Sequence, residues 1–186
     1  MLLQSNWHLF WFNVALYTFL VAVRRFVDVV VPQRWFDPAR RWFRTRRWEH
    51  GGDFYRRAMA IDRWKDKLPT LEGRTHFDKK HLAGNQAEYL EQFIVETCRS
   101  ESNHVRAITS VVVMRLWTPL SLWLLCLAVA TVGNLPFICI QRYNRPRLQR
   151  ALERVERRAL ANGQRYRPTR LIGEACPDAL SAHAAH

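Results

Sequence analysis

No lysine or arginine stands before Arg24. A secretory signal peptide carries its positive charges ahead of its apolar run. Here the apolar run Trp7–Val23 comes first and Arg24–Arg25 follow, so an uncleaved anchor is expected, with the N-terminus outside and the arginines in the cytoplasm. Paired cysteines are missing as well. Cys98, Cys126, Cys139 and Cys176 show no CxxC or metal-ligand spacing, which points to unpaired thiols and away from a disulfide framework. Two of them lie in an apolar run, where a thiol behaves as a small hydrophobe. The chain has no P-loop, GxGxxG, GxSxG or HExxH, which excludes the phosphate cradle, the dinucleotide turn, the nucleophile elbow and the two-histidine zinc helix. A His-(four residues)-Asp pair is absent too: His81 stands at that offset from His76, and Thr109 from His104. There is no internal repeat. Acidic residues are few, 16 Asp and Glu against 29 Lys and Arg.

What remains is organised by charge. The formal charge is +13, and the mean hydropathy of -0.27 averages very polar stretches against very apolar ones. Residues 32–80 contain fourteen Lys and Arg against seven Asp and Glu, and residues 141–170 contain ten arginines against Glu153 and Glu156. Leu120–Ile140 contains no charge at all, and Arg142, Arg145 and Arg147 follow it. About 20 apolar residues cross a bilayer, since ~30 Å of hydrocarbon is traversed at ~1.5 Å per residue. Eight tryptophans, several of them in or beside apolar runs, fit a membrane interface.

The expected fold is an all-α integral membrane protein. Residues 1–31 form an N-terminal anchor, and residues 32–104 a basic, interfacial, cytoplasmic region. Residues 105–140 form a membrane hairpin, residues 141–160 a basic amphipathic helix, and residues 161–186 a disordered tail. Both basic blocks belong on the cytoplasmic side, so the chain must cross an even number of times between them. The piece before the full span, VRAITSVVVMRLW, is 13 residues long and contains Arg106 and Arg115. A short or re-entrant arm, continuing a helix from about Ala87 and turning at Thr118-Pro119, resolves the parity. Pro136 is expected to kink the returning helix. Leu148, Leu152, Val155 and Leu160 recur at helical spacing opposite arginines, as in a helix lying on an anionic membrane surface.

Chemistry concentrates in QAEYLEQFIVETCRSESNH (86–104). Glu101 and His104 lie one helical turn apart, and Glu96, Ser100 and His104 follow at i, i+4 and i+8, with Arg99 and Asn103 flanking Glu96. A carboxylate that holds an imidazole in one tautomer is what a general base acting on a hydroxyl requires. A solvated helix face with ordinary ion pairs is the plain alternative, but polar groups at a membrane boundary are costly unless paired or functional. A second cluster spans WEHGGDFYRR (48–57), DRWKDKLP (62–69) and FDKKHL (77–82). Gly51-Gly52 permits a tight turn beside Glu49 and His50, and Lys65, Lys67, Lys79 and Lys80 suit phosphates. His50 and His81 are not spaced as metal ligands on one helix, and no metal site is expected.

DRWKDKLP, FDKKHL, FIVETCRSESNH and GNLPFICIQRYNRPRL, in this order from about Trp48 to Leu148, resemble the glycosyl-4,4'-diaponeurosporenoate acyltransferases of bacterial carotenoid biosynthesis. The resemblance implies a cell-membrane enzyme that esterifies a sugar hydroxyl of a carotenoid glycoside, or a related glycolipid, with a fatty acyl group. The family's pattern falls on Glu49, Gly52, Trp64, Lys65, Lys67, His81, Glu96, Arg99, Glu101, His104, Asn134, Gln141, Arg142, Tyr143, Asn144 and Arg145. Of these, His104 is expected to act as general base, oriented by Glu101 or Glu96. Arg99 or Arg142 is expected to stabilise the oxyanion. Lys65, Lys67, His81, Asn134, Gln141, Arg142, Tyr143, Asn144 and Arg145 are expected to bind substrates. Acyl-CoA or acyl carrier protein is the expected co-substrate, with no other cofactor. The expected partners are membrane lipids, the thioester donor and the glycosylated acceptor, and nucleic acid is not among them. The alternative is a non-catalytic membrane scaffold binding anionic lipid.

Overall fold

A computed structural model describes residues 7–68 and 86–163; His81, with the FDKKHL segment and most of the C-terminal tail, lies outside the described residues. Among the described residues the fold is all-helical, with no strand. Helix α1 is Trp7–Val30, α2 Asp53–Met59, α3 Gln86–Val113 and α4 Leu120–Ala161, with short 3-10 turns between them. The chain divides into two compact units: one comprises Met1–Pro32 and Arg99–Cys139, the other Gln33–Cys98 and Ile140–His186.

The first unit is built from α1, the later part of α3 and the earlier part of α4. The break between α3 and α4 follows from local chemistry. A residue before proline disfavours the helical region, and Thr118 precedes Pro119. The 3-10 turn Met114–Leu116 closes through Thr118 N–H on the Met114 carbonyl at 3.0 Å, and the Pro119 carbonyl accepts the first helical bond of α4 from Trp123 N–H at 2.9 Å. Proline is tolerated at that place because no intrahelical donor is needed from it. Val111, Met114 and Ala130 form the core, packed by Leu16, Tyr17, Trp123, Cys126 and Leu127.

Polar side chains tie the turn of this unit to α1. Buried Asn13 donates through Nδ2 to Thr118 Oγ1 at 3.1 Å and accepts from Trp117 Nε1 at 3.0 Å, so its amide is used at both ends. Trp123 Nε1 donates to the Val111 carbonyl at 2.9 Å. Large apolar side chains are exposed on this unit, among them Phe19, Phe26, Leu116, Leu120, Val129 and Val132. By length and composition α4 contains one stretch able to cross a membrane, and Trp7–Val23 is a shorter apolar helix.

In the second unit the N-terminal part of α3 packs on the C-terminal part of α4 through Ala87, Ile94 and Leu152, flanked by Leu90, Leu148 and Val155. Helix α4 runs unbroken through Pro136 and Pro146 to Ala161, although each proline deprives a preceding carbonyl of its helical donor. The stripe Leu148, Leu152, Val155 therefore belongs to the same helix as the apolar run. Leu148, Leu152 and Val155 pack on α3, while Leu160, the fourth residue expected on the membrane surface, is exposed. The sequence period is correct; a neighbouring helix offers the same apolar burial as a lipid surface.

The turn Arg47–Gly52 carries left-handed backbone at His50 (φ 45°), Gly51 (φ 64°) and Gly52 (φ 101°). Gly52 is confined by more than its dihedrals: a Cβ there would meet the Tyr143 carbonyl oxygen at 3.2 Å and Pro146 Cγ at 3.6 Å. Gly52 thus lets the turn lie against the backbone of α4. Gly52→Ala should destabilise this unit by about 1–3 kcal/mol, the usual cost of a strained backbone position, read as a lowered Tm of the purified protein. An unchanged Tm would show that the turn is not anchored there.

Candidate active site

The polar groups are assembled separately in the two units. In the second, the residues of the Arg47–Gly52 turn wrap a carboxylate. Glu49 is 1% exposed. It accepts from Arg142 Nε at 2.6 Å and Nη2 at 3.4 Å, from the Tyr55 hydroxyl at 2.5 Å, and from Arg46 N–H at 2.5 Å. Burial pushes the Glu49 carboxyl up, but the bonds from Arg142, Tyr55 and Arg46, with the charge of Arg142, outweigh it and hold the group below its ordinary value. The Tyr55 hydroxyl is pushed far up by burial and by its bond to Glu49, so it stays protonated and donating. Arg142 also donates from Nη2 to the Arg44 carbonyl at 3.3 Å.

The rest of the QRYNRPR segment continues this attachment. Arg145 is 2% exposed. Its Nε donates to Thr97 Oγ1 at 3.0 Å, Nη1 to the Phe43 carbonyl at 2.7 Å and Nη2 to the Thr97 carbonyl at 3.2 Å, while the guanidinium lies 5.4 Å from the Phe43 ring centroid. Tyr143 donates its hydroxyl to Asp62 Oδ1 at 2.7 Å and accepts from Arg147, whose guanidinium covers the Tyr143 ring. Arg150 reaches the Gly51 carbonyl at 3.2 Å. Arg142, Tyr143, Arg145, Arg147 and Arg150 thus fasten α4 to the segment Phe43–Asp62 and to α3.

Gln141 and Asn144 are half-buried, and Lys67 is exposed. Lys65 pairs with Asp66 at 2.9 Å, an exposed-partner bridge of small energetic value.

Three planar donors at fixed angles are what Arg145 supplies and lysine cannot. Arg145→Lys should therefore cost about 1–3 kcal/mol, the range for leaving buried acceptors unpaired, seen as a lowered Tm. A variant as stable as the parent would remove the anchoring role. The same substitution would impair a scaffold and an enzyme alike, so it does not separate those two readings.

In the first unit, α3 places Arg99, Glu101 and His104 within two turns, and α4 brings in Asn134 and Phe137. Glu101 is buried at 2% exposure and Arg99 and His104 are half-buried. His104 Nδ1 lies 2.9 Å from Asn134 Oδ1, and its ring stacks on Phe137 with centroids 4.7 Å apart and 7° between planes. Asn134 Nδ2 donates to the Ala130 carbonyl at 2.7 Å and to the Tyr17 hydroxyl at 3.4 Å. Arg106 is turned back on its own helix, donating to Asn103 Oδ1 at 2.7 Å and to the Ser102 carbonyl at 3.3 Å. Glu96 sits on the same helix but falls in the other unit.

The pairing of His104 with Asn134 joins residues 30 apart, and no local spacing signals it. No sequence pattern marks Glu49, Tyr55 and Arg142 as a cluster; only the doubled glycine beside Glu49 signals that this carboxylate sits in a tight turn. Among the described residues no group of three His, Cys, Asp or Glu could hold a metal ion.

The family model described as glycosyl-4,4'-diaponeurosporenoate acyltransferase matches residues 39–154. Proteins of that name from Staphylococcus aureus strains bovine RF122 / ET3-1, MRSA252 and COL are each 30% identical over 132 residues, covering 69% of this chain and 78% of theirs. No solved structure matches the chain. The matched segment contains both polar assemblies, Glu49–Tyr55–Arg142 and His104–Asn134, and the chain belongs to the glycosyl-4,4'-diaponeurosporenoate acyltransferase family and is an acyltransferase.

Proposed function

We propose that the chain is a multi-pass cell-membrane O-acyltransferase that esterifies a sugar hydroxyl of a glycosylated diaponeurosporenoate with a fatty acyl group. The donor is an acyl thioester, acyl-CoA or acyl carrier protein, and the chemistry needs no metal or redox cofactor. The N-terminus lies outside, and the basic central region and C-terminus lie in the cytoplasm with their arginines at the anionic leaflet. One observation carries the reading: inside the family-matched segment, Arg99, Glu101, His104 and Asn134 lie in a unit that exposes many large apolar side chains. Polar groups kept in apolar surroundings are costly, and those retained are as a rule functional.

In the reaction, an imidazole nitrogen of His104 takes the proton from the sugar hydroxyl. The oxygen attacks the thioester carbonyl, the C–S bond breaks, and the proton passes to the leaving thiolate. The products are an ester and a free thiol, with no change of oxidation state. Glu101, one turn from His104, supports the imidazolium as it forms. Arg99 supplies positive charge for the oxyanion. Arg99 shares a helix and a unit with His104, whereas Arg142 belongs to the other unit, so Arg99 is preferred for that part.

The test is expression in cells that make the glycosylated carotenoid but lack its acyltransferase. The extracted pigment should gain the mass of one fatty acyl chain. Pigment of unchanged mass, with the protein present in the membrane fraction, would sink the reading. Membranes supplied in turn with acyl-CoA and acyl carrier protein identify the donor.

A further inference from the structure

We propose that Asn134 is the positioning residue of His104, selecting the tautomer in which Nε2 is the basic nitrogen; this rests on His104 serving as the base. A carbonyl oxygen can only accept a hydrogen bond, and Asn134 faces the Ala130 carbonyl at 2.7 Å and the Tyr17 hydroxyl oxygen at 3.4 Å. The atom turned toward them must be the amide nitrogen, because the reverse orientation sets two lone pairs against each other at 2.7 Å. Asn134 Oδ1 is thereby directed at His104 Nδ1, 2.9 Å away. That oxygen has no proton to give, so Nδ1 must hold one. In the neutral ring the lone pair then resides on Nε2.

Phe137 lies one turn beyond Asn134 on α4 and stacks on the same imidazole. Asn134 sets the proton and Phe137 sets the plane of the ring. A base held in one tautomer and one plane loses no time in unproductive forms, and disturbing the tautomer in hydrolytic triads lowers kcat by up to about 10⁴-fold. The sequence groups Asn134 with the substrate-binding residues. The structure points instead to a partner of the base.

Two substitutions separate positioning from a structural role, because each keeps one of the two bonds. Asn134→Asp keeps an acceptor for His104 Nδ1–H and loses the donor to Ala130. Asn134→Ser keeps the bond to Ala130, since a serine hydroxyl reaches the carbonyl four residues back, as Ser110 does to Arg106 at 2.7 Å, but it is too short for His104. Acyl transfer is measured in membranes containing the full chain, the glycosylated carotenoid and whichever long-chain acyl thioester the parent uses. Positioning predicts that Asn134→Ser lowers kcat at least 10²-fold with KM little changed, and that Asn134→Asp retains at least tenfold more kcat than Asn134→Ser. Equal kcat values, the reverse order, or a loss confined to KM would overturn it. His104→Ala is assayed alongside. Near-parental activity there removes the base itself, whereas an inactive His104→Ala with indistinguishable Asn134 variants removes only the positioning role.

Discussion

His104→Ala is expected to lower kcat for acyl transfer by about 10²–10⁴-fold, the usual contribution of a positioned general acid–base. A sugar hydroxyl is a weak nucleophile until its proton is removed, and His104 is the imidazole that the fold both orients and shields. It is half-buried, bonded to Asn134 at 2.9 Å and stacked on Phe137. The surrounding core, Val111, Met114 and Ala130 with their partners, does not include it. Removing the imidazole should therefore leave the Tm close to the parent's. The measurement is kcat and KM on the glycosylated acceptor, together with Tm. Activity within a few-fold of the parent would rule His104 out as the base, and a loss tracking a collapsed Tm would make its role structural.

Arg142→Met should unfold the second unit more readily, by about 3–5 kcal/mol, because it leaves a buried carboxylate without its cation. Glu49 is 1% exposed and receives bonds from Arg142, Tyr55 and Arg46. Without the guanidinium, only the bonds from Tyr55 and Arg46 oppose the burial that pushes its carboxyl up. Arg142→Met combined with Glu49→Leu should recover much of the loss, since exchanging a buried pair for apolar groups is often close to neutral. A single variant as stable as the parent would show that the pair contributes little.

The same cluster sets a pH dependence. The folded-state carboxyl of Glu49 is held below its ordinary value of 4.5. Its contribution is fully present above the unfolded value and is lost as pH falls through the lower folded one. Tm of the parent should fall as the medium is acidified below about pH 4.5, and less steeply in the Glu49→Leu/Arg142→Met double variant. Parallel curves for the two proteins would exclude Glu49 as the titrating group.

Much of the architecture is legible along the chain because it depends on local properties. The apolar runs at Trp7–Val23 and Leu120–Ile140 dictate helices, and proline after Thr118 dictates a break whatever surrounds it. The period of Leu148, Leu152 and Val155 reveals a buried stripe, but periodicity does not say what covers it. The basic flank points to lipid, and α3 is what the fold provides. The QRYNRPR segment shows the same division. Its arginines are conspicuous by position, but whether an arginine meets a substrate or a protein acceptor depends on residues far away. Arg145 meets Phe43, 102 positions earlier, and Arg142 meets Glu49, 93 positions earlier.

The sequence alone therefore determined the helical class, the apolar stretches, the basic blocks and the presence of a carboxylate–imidazole helix, because each is written in composition or in spacing within a few turns. Its motifs also carried the family, which the matches over residues 39–154 establish. Only the tertiary structure decided what each polar group is paired with over long distances in sequence: Glu49 with Arg142, Arg145 with Thr97 and Phe43, His104 with Asn134. The reason is geometric. A hydrogen bond must be made to within a few tenths of an ångström, and partners 30 to 102 residues apart reach that distance only when whole helices have packed.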